Sequence, residues 1–265
     1  MLDLISFLTQ IPVRKGTKIE AVAAKSFLFP FAAVLIGFLV ALVAFVSFGF
    51  LVLAPEIAAL LVLLSIYLVT GLMHLDGLAD FFDGIMASGS RGEKRRAMKD
   101  EKIGIAGLFA AVFIILLSFF AVETVCAGFT KAATRSFDLL SFYYFASVFI
   151  IAEVSAKISM NTCILLGKGK GTDANEGIGA LFVNSCSKSK YVIALVSSIL
   201  IALIFTAQRF SFRFFIVFTG IAVAVVVSYV AKSKFGAISG DVMGASNELT
   251  RCATLLIWAI FQAAF

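Results

Sequence analysis

Three aspartates carry the clearest chemical signal in this sequence. Asp76, Asp80 and Asp83 follow one another at spacings of four and three within HLDGLADFFDG, residues 74–84. On a helix of 100° per residue they fall within about 60° of arc, on one narrow stripe. At about 6 Å and an effective dielectric near 20, each neighbouring pair repels by roughly 2–3 kcal/mol. Water, a proton, a Lys or Arg, or a divalent cation must offset that cost. A solvated face would do this in a soluble helix. Here the stripe continues an apolar segment that ends at Gly71, and ionisable groups at a membrane span are read by default as a site. A metal or ligand role is therefore expected. His74, the only histidine, stands just upstream as a candidate base or structural hydrogen bonder, and a basic run follows: Arg91, Lys94, Arg95, Arg96, Lys99 and Lys102. Carboxylate oxygens hold magnesium, which keeps several waters and bridges phosphate oxygens. Arg and Lys neutralise phosphate charge, and glycine lets backbone N–H groups approach it. These parts suit phosphoryl transfer, which needs mainly positioning and charge stabilisation.

The elements that must position these residues are membrane helices. Of 265 residues, 61% are hydrophobic and 14% charged, with 29 Phe and 3 Pro. Soluble domains average about 45–50% apolar and about 25% charged. The expected fold is all-α, a polytopic membrane helical bundle of about seven transmembrane helices in a single domain over residues 1–265. Residues 2–13 read as a short amphipathic helix ended by Pro12. Apolar spans follow at 27–53, 57–73, 105–122, 139–156, 191–207, 214–231 and 252–265. The last, at 14 residues, reaches only about 21 Å and falls short of a bilayer core of about 30 Å. A glycine-rich loop is expected over 159–190, with 167–179 as a surface loop or a lid over substrate. The four cysteines lie far apart and read as lone thiols. Residues 1–26 hold no apolar run long enough for a cleavable signal.

Lysine and arginine set the orientation. With the N-terminus cytoplasmic, segments 1–26, 74–104, 157–190 and 232–251 hold 18 of the 22 basic residues. The other four are Lys131, Arg135, Arg209 and Arg213. Every polar stretch with chemical content then faces the cytoplasm at the cell membrane, including the segments 74–104, 157–190 and 232–251. A transporter would place its polar groups at mid-membrane on broken helices, so collection at one rim favours an enzyme. The basic residues flank apolar spans, which argues against nucleic acid and for membrane lipid as the surroundings. The oligomeric state is left open, a homo-oligomer included. Asp80-Phe81-Phe82-Asp83-Gly84 also resembles the CDP-alcohol phosphotransferases. A cation transporter using Asp76, Asp80 and Asp83 is the reading from a different class.

Across nearly its whole length the chain resembles the cobalamin synthase family, the adenosylcobinamide-GDP ribazoletransferases. The pieces that carry the resemblance occur in family order: FLTQIPV at 7–13, FP…IG at 29–37, HLDGLADFFDG at 74–84, GSRGE at 89–93, MKDEKIGIAG at 98–107 and SGDVMGA at 239–245. The resemblance implies a membrane-embedded, magnesium-dependent (Mg2+) transferase late in vitamin B12 assembly. It would join adenosylcobinamide-GDP to α-ribazole or its 5′-phosphate and release GMP. On that footing Asp76, Asp80 and Asp83 are expected to hold magnesium against the diphosphate. Arg91 and Lys99 would pair with phosphate oxygens. Asp100 would hold a second magnesium or a ligand hydroxyl. Asp241 would complete the metal site or take the proton from the attacking ribose hydroxyl, with His74 as the other candidate base and Asp83 beside them in the catalytic group. Ser239 stands where the family pattern has Thr and would contact substrate. Two departures stand out: Ala237 replaces a glycine, and Lys157 replaces an arginine whose forked contact lysine cannot make.

Overall fold

The computed structural model describes residues 1–13, 16–132, 139–168, 177–206 and 212–264. Twelve α-helices and no strand occur among the described residues. They are α1 (Leu2–Leu8), α2 (Ile19–Ala24), α3 (Phe29–Phe45), α4 (Pro55–Thr70), α5 (Met73–Met86), α6 (Arg91–Met98), α7 (Ile105–Ala132), α8 (Leu139–Leu166), α9 (Gly177–Ser185), α10 (Lys188–Thr206), α11 (Thr219–Phe235) and α12 (Gly240–Ala264).

Helix α8 is the axis of the bundle. Every residue from Phe145 to Ile164 is buried, a stretch of about 30 Å, the thickness of a bilayer core. Helices α3, α10, α11 and α12 pack around it, and α7 joins α4, α5 and α12. Large apolar side chains lie exposed on the outward faces, among them Phe38 on α3, Leu64 on α4, Phe113 on α7, Leu200 on α10 and Val226 on α11. An apolar belt of this extent faces lipid rather than water.

Five helical stretches are long and apolar enough to cross a membrane: Ser26–Phe50, Ile105–Gly128, Leu139–Leu166, Lys188–Thr206 and Arg213–Phe235. The pair α4 and α5 makes a sixth only if counted together, and it is bent by 92°. The end of the chain differs most from the pattern of seven plain spans. Its helix is 25 residues long and begins at Gly240, twelve residues before the apolar run. Asp241, Glu248 and Arg251 sit on its first half, so hydropathy alone truncates it. The expected loop at 159–190 is also partly helical. α8 runs on to Leu166, and α9 follows. Residues 169–176, which hold most of the glycine-rich stretch, lie outside the described residues.

Candidate active site

The stripe of aspartates is set by the break before it. α4 ends at Gly71, whose φ of +71° turns the chain. Gln10 of the N-terminal segment packs against this turn, its backbone N–H donating to the Val69 carbonyl at 2.7 Å. The 92° bend between α4 and α5 turns α5 across the line of α4. The inner face of α5 is His74, Gly77, Leu78, Phe81 and Gly84, all buried. That spacing is the apolar stripe of an amphipathic helix. Asp76 is exposed, and Asp80 and Asp83 are half-buried at the edge.

Asp83 is tied to α7. Its two carboxylate oxygens accept from the backbone N–H groups of Gly104, at 2.7 Å, and Gly107, at 2.8 Å. Those are free donors at the start of α7, where a carboxylate also suits the helix dipole. A Cβ on Gly104 would stand 2.3 Å from an Asp83 oxygen, and one on Gly107 2.4 Å from the other. The glycines of KIGIAG are thus explained by close approach of this carboxylate.

Asp241 arrives from the far end of the chain. Ser239 caps α12, its hydroxyl accepting from the Val242 N–H at 3.3 Å and donating to the Asp241 carboxylate at 3.2 Å. Helices α5 and α12 cross with almost no side chain between them. A Cβ on Gly77 would lie 3.0 Å from the Asp241 Cα, and one on Gly244 3.1 Å from the His74 carbonyl. The crossing brings Asp241 to the aspartate stripe. Burial, with the charges of Asp76, Asp241 and Asp83 acting in the same direction, pushes the Asp80 carboxyl up to about 7. Lys99, exposed at the end of α6, is the cation whose charge reaches Asp241.

The other expected site residues lie elsewhere. Arg91 is exposed, and its Nε donates to the Ser233 carbonyl at the end of α11, 3.2 Å away. Asp100 forms a local turn by accepting from the Lys102 N–H at 3.0 Å. His74 is on the inner face of α5, 2% exposed, with neither ring nitrogen hydrogen-bonded among the described residues. Burial lowers its basicity, and the charges of Lys157 and Arg251 lower it further, so the ring is neutral. Lys157 does not reach the membrane surface. It is fully buried, and its ammonium donates to Asn247 at 2.6 Å.

Sequence reasoning missed the residues around Lys157. Glu153, Lys157, Asn247, Glu248 and Arg251 form one connected polar cluster inside the bundle, with Tyr67 on its edge. Glu153 and Lys157 at i, i+4 in an apolar span were the signal that could have found it.

Comparison with known proteins bears on what this arrangement does. The family model for cobalamin-5-phosphate synthase matches residues 1–259. The chain belongs to the cobalamin-5-phosphate synthase family. Proteins named adenosylcobinamide-GDP ribazoletransferase are similar to it over nearly their whole length. That of Pyrococcus abyssi is 36% identical, covering 97% of this chain and 96% of the relative. That of Methanocella arvoryzae is 35% identical, covering 95% and 91%. That of Thermococcus onnurineus is 32% identical, covering 99% and 98%. No solved structure matches. The backbone at Ala237 does not call for glycine. Gly236 alone takes the left-handed turn that ends α11, with φ of +77°, and Ala237 is not among the residues with positive φ.

Among the described residues no three His, Cys, Asp or Glu side chains converge closely enough to enclose an ion by themselves. The donor set nonetheless fits magnesium. It is all carboxylate oxygen, it is repulsive without a cation, and magnesium takes one or two protein carboxylates and fills its shell with water and phosphate.

Proposed function

We propose that this chain joins adenosylcobinamide-GDP to α-ribazole or α-ribazole 5′-phosphate at the α5–α12 crossing, with release of GMP, in a magnesium-dependent reaction. The observation that carries the proposal is the approach of four carboxylates, Asp76, Asp80 and Asp83 of α5 and Asp241 of α12, the last 158 to 165 residues away in sequence, with Asp80 raised by burial and by the charges of the other three. Asp76 and Asp80 would hold magnesium. The ion would supply charge neutralisation at the diphosphate. Asp83, both oxygens already held by α7, orients the stripe. Lys99 pairs with phosphate oxygens, joined by the guanidinium nitrogens of Arg91 that Ser233 leaves free.

The attacking ribose hydroxyl forms a bond to the phosphorus next to the cobinamide. The bond from that phosphorus to the bridging oxygen breaks, and the oxygen leaves with GMP. Asp241 accepts the hydroxyl proton, with Ser239 holding its carboxylate by a hydrogen bond. His74, neutral and shut away beneath α5, is assigned to positioning. Without Lys157 and Arg251, which are buried in the bundle, the basic residues still divide 16 to 4, and that asymmetry supports a site facing the cytoplasm across the cell membrane.

The test is GMP release by protein purified in detergent with magnesium, adenosylcobinamide-GDP and α-ribazole phosphate. Wild-type protein should turn over. Asp80→Asn should lower the rate at least a hundredfold while inserting at normal yield, because it removes charge that stabilises the transition state. No GMP from the wild type would end the proposal, and an active Asp80→Asn would end the metal assignment.

A further inference from the structure

The buried cluster between α8 and α12 is an antiparallel zipper with a period of one helical turn. Lys157 bonds to Asn247. Four residues back along α8, Glu153 accepts from Arg251 at 2.5 Å, four residues on along α12. At the cytoplasmic-side end of the same seam the hydroxyls of Ser159 and Ser246 meet. Arg251 also donates to Glu248 at 2.5 Å, and Glu248 accepts from Tyr67 of α4 at 3.2 Å. Glu153, Lys157, Glu248 and Arg251 are all at most 2% exposed. Two positive and two negative charges make the cluster neutral.

We propose that Glu153, Lys157, Glu248 and Arg251 are positioning residues that set the register of α12 against α8, and so the height of Asp241 at the active site. Inside a membrane the hydrophobic effect does not hold one helix at a given height on another, and polar pairs take over that task. Buried ion pairs add little stability over apolar side chains of similar size, and their best-attested use is to specify register. The pattern penalises both neighbouring registers. Sliding α12 one turn one way sets Lys157 opposite Arg251, two buried cations. Sliding it the other way sets Lys157 opposite Met243 and Arg251 opposite Phe149, so that each cation loses its cross-helix partner and keeps only the acid on its own helix, Glu153 for Lys157 and Glu248 for Arg251. Each slip would move Asp241 by about 6 Å along the axis. Tyr67 brings the second half of the site into the same frame, because it lies one turn before the Gly71 break from which α5 and its aspartates start. Both halves of the site are thus referred to one buried cluster.

The consequence for catalysis rests on the active-site reading above, while register is measured without metal or substrate. In a chain with Cys126, Cys163, Cys186 and Cys252 replaced by alanine, Ser159→Cys/Ser246→Cys reports the native register by disulfide formation in membranes. Ser159→Cys/Thr250→Cys and Ser159→Cys/Val242→Cys report the two slips. With Glu153→Met/Arg251→Met added, which keeps the remaining cluster neutral, the native cross-link should fall at least threefold and a slipped one should rise above background. GMP release by the same double variant in the native-cysteine chain should fall at least tenfold, with thermal stability unchanged or higher. Native cross-linking undiminished, with neither slipped pair formed, overturns the proposal even if GMP release falls. Should the double variant be degraded in the membrane, Arg251→Lys, which keeps the charge and loses the fork, is read on the same three cross-links by the same criteria. A wild type that cross-links as expected but releases no GMP overturns the active-site reading and leaves the register assignment standing.

Discussion

Asp80 shows how one side chain records the company it keeps. Its carboxyl titrates near 7 against an ordinary 3.8 because it is partly buried among Asp76, Asp241 and Asp83. The unfolded chain loses this proton first, so the metal-free folded protein becomes relatively less stable as pH rises from about 4 to about 7, and the loss levels off above that. The melting temperature in detergent with a chelator should therefore be higher at pH 5.5 than at pH 7.5. Asp80→Asn should flatten that slope, and magnesium at pH 7.5 should raise the wild-type value. An unchanged slope in Asp80→Asn would show that other groups control it. His74 tells the opposite story: a histidine next to a reactive stripe suggests a base, yet its side of the helix is the inside.

Helix termini do much of the positioning. Asp83 receives the first free N–H groups of α7, Ser239 starts α12, and Lys94 closes α5 by donating to the Ile85 carbonyl at 3.1 Å. Ser90 and Glu93 form a reciprocal cap on α6, and hydrogen bonds from Ser90 hold the Glu93 carboxyl below the usual range. Asp83→Asn should cost roughly 1–2 kcal/mol of stability, the usual worth of such a cap. Gly107→Ala should lower stability and GMP release in the same way, although it removes no functional group, since its Cβ would displace the same carboxylate. The double variant should be little worse than either single one, because both break one contact. Additive losses in melting temperature would mean that Asp83 and Gly107 act separately.

The molecule as a whole separates a lipid-facing belt from one chemically equipped end. α5, α6, the end of α11 and the start of α12 meet there, while Pro55 and Glu56 at the start of α4 lie a helix length away. A single cysteine at Ser88 or Lys102 should react with an impermeant maleimide only where the cytoplasmic face is exposed, from outside inverted vesicles or in opened spheroplasts. A cysteine at Glu56, exposed in the structure, should react from outside intact cells. Equal labelling from both sides at Ser88 would contradict the assigned orientation.

The family motifs, the helical class, five of the apolar spans and the aspartate stripe were all legible in the amino-acid order. Each is a local property: a run of apolar side chains, or a period of three and four. The joining of Asp241 to that stripe was not legible as contact, because two glycines bring the helices together and Asp241 lies 158 to 165 positions beyond the stripe. The true length of α12 was hidden for a related reason. Its charges lower hydropathy and read as loop, yet Arg251 pairs with Glu153 of α8 and Glu248 accepts from the Tyr67 hydroxyl of α4, partners that only folding brings near. The inward direction of His74 and Lys157 likewise depends on which face of a helix its neighbours cover, and that is settled by packing.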